Sequence, residues 1–465
     1  MKRSGITWVL YPILVLIVST GVTASPGVDP PRSPREIRLD ESTAVKRALN
    51  ENLSLRAQQA TIAAQARNAD LWWSRLVPSL SAGSSLIRHN EEIVPRPPAD
   101  PYSLSVALDL EARFTFAPGV SADVRSERED LSAARFRYTD AGRNIERQVR
   151  TLFYSLLLDY ERIQVAELTR DLAQETLEQT AIDFRLGRVD SRTLRQAELS
   201  TQQADLRLRE TRSAYEDSLA IFKNLLGIDE DVPVILEGEL PAEDSFRTLE
   251  PPGYAPDLRP DISAMNAEIR AQNERITSME RGRSFPVLGV AASWSPRSGD
   301  PFNPGNEGVY GEWNDTGGMS LTLRFELQEL FPFSRSGTSL NSAEARLESL
   351  RLQKQDTAET GLREYRSLLR RIETRIAALE SRRMNLDLAQ EIYDLTDQAY
   401  RAGTTDLLTL RSARSEVEAA RLDLLQETFN IKSDLIDLEY VSGVGGIPAS
   451  TGVTGPADAR KGITQ

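Results

Sequence analysis

The 465-residue sequence contains no cysteine and a single histidine. The absence of cysteine excludes disulfides, thiolate metal sites, cysteine nucleophiles and a lipid anchor on an N-terminal cysteine. His89 stands between Arg88 and Asn90 with no second ligand at metal-binding spacing, so we interpret it as a solvated loop residue. No set of nucleophile, base and orienting residue can be named. We therefore expect no enzymatic activity, no bound metal and no cofactor.

Aromatic residues are also scarce, at 6% of the chain, and acidic residues outnumber basic ones to give a net charge of −13. A nucleic-acid partner would require a basic face, and the excess of negative charge argues against one. Leu- and Ala-rich segments interleaved with charged residues indicate long helices rather than a compact globular core.

Long apolar runs are absent after the N-terminal segment, because charged residues interrupt each later one. Residues 1–24 combine two basic residues, an apolar stretch from Trp8 to Val18 and a small-residue end at Ala24, which predicts a secretory signal peptide. The apolar stretch is shorter than the ~20 residues of a membrane-spanning helix. A proline-rich leader over residues 25–37 follows.

The sequence contains one long internal repeat. Residues 184–227 align without a gap on residues 400–443, at a constant offset of 216. Phe-Arg-Leu-Gly-Arg-Val-Asp in the first copy corresponds to Tyr-Arg-Ala-Gly-Thr-Thr-Asp in the second. A period of this length is too long for a solenoid unit, so we interpret the repeat as a duplicated half-protein.

The duplication divides the chain into two structural repeats, residues 38–227 and 257–443. A proline- and acid-rich connector over residues 228–256 joins them. The composition of residues 444–465, rich in Gly, Thr and Ala, predicts a disordered tail. Each repeat is expected to contain a helix, a pair of strands and a long helical hairpin.

The strand pairs show apolar and polar residues in alternation. They are Ser79–Ile87 with Ser103–Phe116 in the first copy, and Val287–Ser295 with Gly318–Leu327 in the second. A period of two predicts strands with one apolar face, and a tilted transmembrane strand takes ~9 to 11 residues. A soluble sheet with one buried face would show the same alternation.

Two further observations favour membrane strands. Long, polar, Pro- and Gly-rich loops, residues 88–102 and 296–317, lie at one end of the strands, as exposed outer loops do. Aromatic residues gather at the other end, as an interfacial girdle requires. These aromatic residues are Trp72, Trp73, Phe114 and Phe116 in the first half and Phe285, Phe325, Phe331 and Phe333 in the second.

The predicted helices fall into three matched pairs. The longest, Val120–Ile182 and Thr338–Ala399, would each span roughly 90 to 95 Å and carry heptad spacing typical of coiled-coil packing. Each copy also has a helix before its strands and a returning helix after the long one. These are Asp40–Arg75 and Arg259–Arg283 before the strands, and Ser191–Leu226 and Leu407–Tyr440 after the long helices.

Tight turns are expected between each long helix and the helix that returns. Gly187 and Gly403 are suited to the left-handed residue that ends a helix, and Asp190 and Asp406 to the N-cap of the next one. We first assign these four residues to turn formation, with any function additional to it.

Four strands per chain cannot close a barrel, and open sheet edges are not tolerated in hydrocarbon. Membrane strands would therefore require oligomerisation. Two chains would give eight strands with an interior filled by side chains, and three would give twelve with a lumen. The polar faces of residues 103–116 and 318–327 favour a water-filled interior.

Residues 38–443 carry short motifs that are weak singly but specific in their order and duplication. They are Leu39-Asp40-Glu41 with Ala44, Ala48 and Leu49; Pro78-Ser79-Leu80; Arg259-Pro260-Asp261-Ile262; Phe285-Pro286-Val287-Leu288; Tyr400-Arg401-Ala402-Gly403-Thr404; and Phe429-Asn430-Ile431-Lys432-Ser433. Over this range the sequence resembles the TolC-type outer-membrane efflux proteins.

The resemblance implies a mainly helical fold with membrane strands. Three chains would form a twelve-stranded barrel in outer-membrane lipid, continued by a tunnel of long helical hairpins in the periplasm of a diderm bacterium. It implies a passive export duct, whose turns dock a periplasmic adaptor protein linked to an inner-membrane pump. On this view Gly187, Asp190, Gly403 and Asp406 are docking residues.

The resemblance also places a candidate gate at the second turn. The family's best-known member constricts its entrance with a tyrosine, an arginine and two aspartates, which correspond here to Tyr400, Thr405, Thr409 and Ser412. The tyrosine is retained and the three charged residues are not.

A periplasmic adaptor or structural coiled-coil protein is the alternative, since it would share the signal peptide and the long hairpins. Such a protein would not need two pairs of alternating strands with aromatic ends.

Overall fold

The computed structural model describes residues 36–90, 102–246, 250–298, 314–315 and 317–444. The expected signal peptide, all but the last two residues of the leader, and the tail from residue 445 lie outside this part of the chain. Most of the two long loops expected at the far end of the strands lies outside it as well. Among the described residues, no helix is long and apolar enough to cross a membrane.

The two halves have the same order of main elements, as the sequence predicts. The first half contains β1 (Ile37–Leu39), α1 (Glu41–Glu51), α2 (Leu53–Asp70), a 3-10 helix (Trp72–Leu76), β2 (Ser79–Asn90), β3 (Tyr102–Phe116), α3 (Val120–Arg185) and α4 (Ser191–Leu225). The connecting segment carries β4 (Val234–Leu236) and two short 3-10 helices. The second half contains α5 (Pro260–Ser284), β5 (Val287–Trp294), β6 (Pro296–Ser298), β7 (Asn314–Asp315), β8 (Gly318–Arg324), a 3-10 helix (Leu327–Leu330), α6 (Arg335–Arg401) and α7 (Leu407–Ser442).

The first helix is interrupted, so the prediction of one continuous helix from Asp40 to Arg75 is wrong. Asn52 separates α1 from α2, because its side-chain oxygen accepts hydrogen bonds from the backbone N–H groups of Ser54, at 3.0 Å, and Leu55, at 3.3 Å. Its amide also donates to the Leu225 carbonyl at 3.1 Å. Asn readily bonds nearby backbone groups in this way, which favours a cap over a helix interior.

The four long strands form one antiparallel sheet in the order β2, β3, β5, β8, and both expected strand pairs are present. The pairing of β3 with β5 joins the two halves. The short strands β6 and β7 extend the sheet beside β3. The second pair is shorter than expected, since the chain leaves the sheet after Arg324 instead of Leu327. His89, interpreted as a loop residue, lies in β2 opposite Ser103.

The register collects apolar side chains on one face of the sheet. Ala82, Leu110 and Trp294 form one such row across three strands, and Val290 and Leu321 share the same face. Several of these side chains are strongly exposed, including Leu80 at 80% and Met319 at 81%. The opposite face carries Ser, Thr and charged residues. An exposed apolar face is what contact with lipid requires.

The connector contains regular structure that the sequence analysis did not predict. Its strand β4 pairs in parallel with β1, in the register Ile37 to Val234 through Leu39 to Leu236. Leu39 is buried and belongs to a core formed by α1, α3 and the end of α4. The connector is therefore fastened to the start of the first repeat.

Helices α3 and α7 form the middle of the helical part. Helix α3 packs against α4, α7, α5 and α2, and α6 packs against α7 and α5. This arrangement leaves α4 and α2 on one flank of the chain and α6 on the other. In the sheet above, the flanks carry β2 and β8.

Candidate functional site

Both helical turns lie at the same end of the molecule. The antiparallel contact of α3 with α7 shows this, because Arg162 binds Gln426 while Glu175, further along α3, pairs with the earlier Arg411. The turn from α3 to α4 covers residues 186–190, and the turn from α6 to α7 covers residues 402–406.

The two turns have the same backbone geometry. Gly187 has φ 68° and Gly403 has φ 73°, in the left-handed region that glycine adopts without strain. The Gly187 N–H donates to the Phe184 carbonyl at 3.0 Å and the Arg188 N–H to the Asp183 carbonyl at 2.8 Å. Corresponding bonds of 2.9 Å at the second turn are Gly403 to Tyr400 and Thr404 to Ala399. Both are Schellman motifs, which confirms the predicted role of the glycines.

The aspartates cap the returning helices, as predicted. An oxygen of Asp190 accepts a bond of 2.9 Å from the Thr193 N–H, and Asp406 accepts one of 2.9 Å from the Thr409 N–H. Side-chain and backbone hydrogen bonds from these threonines lower the pKa of both carboxyl groups. Both carboxylates are exposed and stay charged at neutral pH, so they are poorly suited to general acid–base chemistry.

The candidate gate residues lie at the tip of the second hairpin. Tyr400 is in the last turn of α6 and is 39% exposed. Thr405 is half-buried in the turn, and Thr409 and Ser412 are exposed in the first turns of α7. Thr409 already bonds to Asp406 as part of the cap. The structure thus brings the four positions to one tip, and their role as a gate stays a prediction.

An ion pair between the hairpins was not found by sequence reasoning. Arg411 on α7 pairs with Glu175 on α3, close to the turns. The corresponding residue of the first copy, Arg195, pairs instead with Glu198 of its own helix at 2.6 Å. The repeat aligned the two arginines, but only the packing of α3 on α7 could reveal their different partners.

A polar cluster lies at the middle of α3, where α1 begins and α7 ends. Glu41 at the start of α1 accepts bonds of 2.6 Å from Arg150 and Tyr154, and Arg150 also bonds Glu439 at 2.6 Å. Burial raises the pKa of Tyr154, and its bond to Glu41 raises it further. The Lys432 ammonium lies 5.0 Å from the Tyr154 ring centre, and burial lowers the pKa of this lysine. The cluster fixes α1, α3 and α7 relative to one another.

The chain matches a known family model over most of its length. The model described as outer membrane efflux protein matches residues 44–228 and 254–444. The curated relative "Pyoverdine export outer membrane protein OpmQ" of Pseudomonas aeruginosa is 24% identical over 328 residues, which are 69% of this chain. The match spans 65% of that relative, less than two thirds of its length.

Solved structures of similar fold support the same match. A crystal structure of CusC has a TM-score of 0.68 and 17% identity, covering 90% of this chain and 96% of that one. The Campylobacter jejuni CmeC outer membrane channel also gives 0.68, with 18% identity over 87% of this chain and 86% of its own. At these identities the likeness shows the fold alone.

Proposed function

The chain belongs to the outer membrane efflux protein family, and we propose that it forms the outer-membrane duct of a tripartite export system. The observation that carries this proposal is a sheet of four long strands with an exposed apolar face, joined at one end to helices of 66 and 67 residues. At ~1.5 Å per residue each long helix spans roughly 100 Å. This length suits a conduit that leaves the outer membrane and crosses much of the periplasm.

The sheet favours a closed ring of copies. Strand β2 is paired only with β3, and β8 only with β5, among the described residues. Lipid cannot satisfy the hydrogen bonds of an open edge. Three chains supply twelve long strands, enough for a lumen, while two supply eight and fill their interior with side chains. The homotrimer is therefore the assembly we propose.

The polar face of the sheet suits the inside of such a barrel. Asp109, Glu111 and Arg113 lie on it, with Arg113 bonded to Glu111 at 2.7 Å. Opposite charges interspersed on one face suit a wide, water-filled passage for polar cargo. The energy for export would come from an inner-membrane pump linked to the duct.

The helical tips are the proposed docking site for a periplasmic adaptor that connects the duct to the pump. The two tips are exposed and have similar backbone geometry. The first is shaped by Gly187 and Asp190, and the second by Gly403 and Asp406. We propose that the closed entrance at the second tip is lined by Tyr400, Thr405, Thr409 and Ser412.

Membrane fractionation followed by bilayer recording tests the proposal. We expect trimers that resist salt extraction, dissolve in detergent and conduct ions when placed in a planar bilayer. A monomer released from the envelope by salt would contradict the duct and favour a periplasmic coiled-coil adaptor. Substitutions at Thr405 and Thr409 that change conductance would support their place at the entrance.

A further inference from the structure

The connections between sheet and helices differ between the middle and the edges of the sheet. The two middle connections, residues 117–119 and 285–286, are three and two residues long. The connection into β2, residues 71–78, has eight residues and contains a 3-10 helix. The connection out of β8, residues 325–334, has ten and contains another. We call these two longer segments the β2 junction and the β8 junction.

Both edge junctions present large apolar side chains to the surface. In the β2 junction Trp72 is 40% and Trp73 52% exposed. In the β8 junction Phe331 is 52% and Phe333 81% exposed, and their rings stack with centres 5.3 Å apart. Exposed apolar area of this kind usually marks a contact with lipid or another protein.

The two junctions lie at the same end of opposite edges of the sheet. One row of paired residues crosses β2, β3, β5 and β8 and contains, in that order, Ser79, Arg113, Ala291 and Ser320. The β2 junction ends at Pro78, next to Ser79 in this row. The β8 junction begins after Arg324, four residues beyond Ser320 along β8. In a ring of copies, β8 of one chain meets β2 of the next, and the two junctions become neighbours.

We propose that the β2 and β8 junctions of adjacent copies pack together as an aromatic clasp at the base of the barrel. This inference rests on the proposed ring of copies. The occupant of each junction is thus a second copy of this chain, with Trp72 and Trp73 of one copy against Phe331 and Phe333 of the next. Offset or edge-on ring pairs of this type stabilise a contact beyond the apolar area that they bury.

A lipid girdle explains the arrangement less well. A girdle needs an aromatic residue at each connection. In the middle of the sheet a single residue at each connection meets this need: Phe116, which ends β3 and is 50% exposed, and Phe285, which is 58% exposed. Among the four described connections between the sheet and the helices, the extra length and the 3-10 helices occur only at the two edges. These are the places where a seam between copies would form.

Engineered cysteines can test the clasp, because the chain has none of its own. We expect Trp73→Cys combined with Phe331→Cys to give covalent dimers and trimers with a short bis-maleimide, in membranes and in detergent. Each single variant should stay monomeric on a denaturing gel. The matched control, Phe285→Cys with Phe331→Cys, places one cysteine at a middle connection and should give no covalent oligomer.

Tryptophan quenching distinguishes a neighbouring chain from lipid. In a variant that keeps Trp73 as its single tryptophan, acyl-brominated lipids should quench the fluorescence only weakly. Strong quenching, or native trimers in which the cysteine pair does not cross-link, would overturn the clasp and leave the duct intact. A chain that forms no trimer at all would overturn the proposed duct together with the clasp.

Discussion

Arg411 on α7 forms an ion pair with Glu175 on α3, whereas its repeat counterpart Arg195 pairs with Glu198 on its own helix. One arginine therefore ties the two hairpins of a chain together, and the other does not. The tie lies close to the tips, at the proposed entrance of the duct. The duplicated halves thus share a backbone and differ in the contacts that hold their tips.

Removing this tie should make the entrance easier to open. Arg411→Gln is expected to raise the mean conductance of trimers in a planar bilayer, and Arg195→Gln is the matched control that should not. Both side chains of the pair are partly exposed, so we expect it to contribute about 0.2–1 kcal/mol, a change in the open-to-closed ratio of less than about tenfold. High salt should open the wild-type duct slightly and leave Arg411→Gln unaffected. Equal conductance of both variants would contradict the tie.

The second turn should not tolerate a β-branched residue at its glycine. Gly403→Val forces a branched side chain to a φ of 73°, which costs on the order of 1–2 kcal/mol. No atom outside Gly403 and its two chain neighbours lies within 4 Å of the position where a Cβ would sit, so the cost comes from the backbone conformation and not from crowding. We expect fewer trimers or weaker adaptor cross-linking. Gly253→Val is the control, because that position is equally open and lacks a positive φ. Unchanged trimer level and export would count against the assigned turn.

The cap of α7 should weaken in acid. Hydrogen bonds from Thr409 hold the pKa of Asp406 below its ordinary 3.8, so its contribution is present above pH 3.8 and is lost as the pH falls through the lowered folded pKa. Hydrogen exchange of the Thr409 amide should speed up below about pH 4 beyond its intrinsic rate. Asp406→Asn should keep most of the cap and lose this pH dependence. Acid dependence that persists in Asp406→Asn would show that another group is responsible.

Loss of a buried carboxylate between α6 and α7 should lower the stability of the chain more than loss of an exposed one. Asp434 is 5% exposed and bonds Arg371 at 2.6 Å and Arg375 at 2.8 Å. Asp434→Asn should destabilise the chain by about 1–3 kcal/mol, because in this partly buried site Arg371 loses its paired carboxylate and Arg375 keeps only its pair with Glu427, at 3.1 Å. Asp423→Asn is the control, since that carboxylate is 63% exposed and its pair with Arg382 contributes little. Thermal unfolding of the trimer measures both, and equal midpoints would contradict the ranking.

Local sequence chemistry predicted the parts of this fold that depend on near neighbours. Alternation placed the strand pairs, and glycine and aspartate placed both turns, because each signal acts within a few residues. The connector strand was missed, since β4 has three residues and is stabilised by a partner almost 200 residues earlier. The break at Asn52 was missed because one polar residue in a helical pattern does not reveal which backbone groups it will bond.

The candidate site could likewise be predicted from the sequence only where it depends on near neighbours. The capping roles of Asp190 and Asp406 could be predicted from the turns themselves. The pairing of Arg411 with Glu175 could not, because it depends on the register in which α3 packs on α7. Heptad spacing predicts that such helices pack, and it does not fix which residues meet along the contact.

In the described part of the chain, four glycines have a positive φ and fall into two pairs, Gly187 with Gly403 and Gly227 with Gly443, and each pair is separated by the repeat offset of 216 residues. If the tips dock a partner, each chain would offer two docking sites of similar backbone geometry, and a ring of three would offer six. The two turns of each chain, together with the number of chains, would then set the stoichiometry of docking. A partner with sixfold symmetry would meet similar backbone geometry at all six turns. A partner that binds only three of the turns would have to distinguish them by side chains such as Arg188 and Thr404.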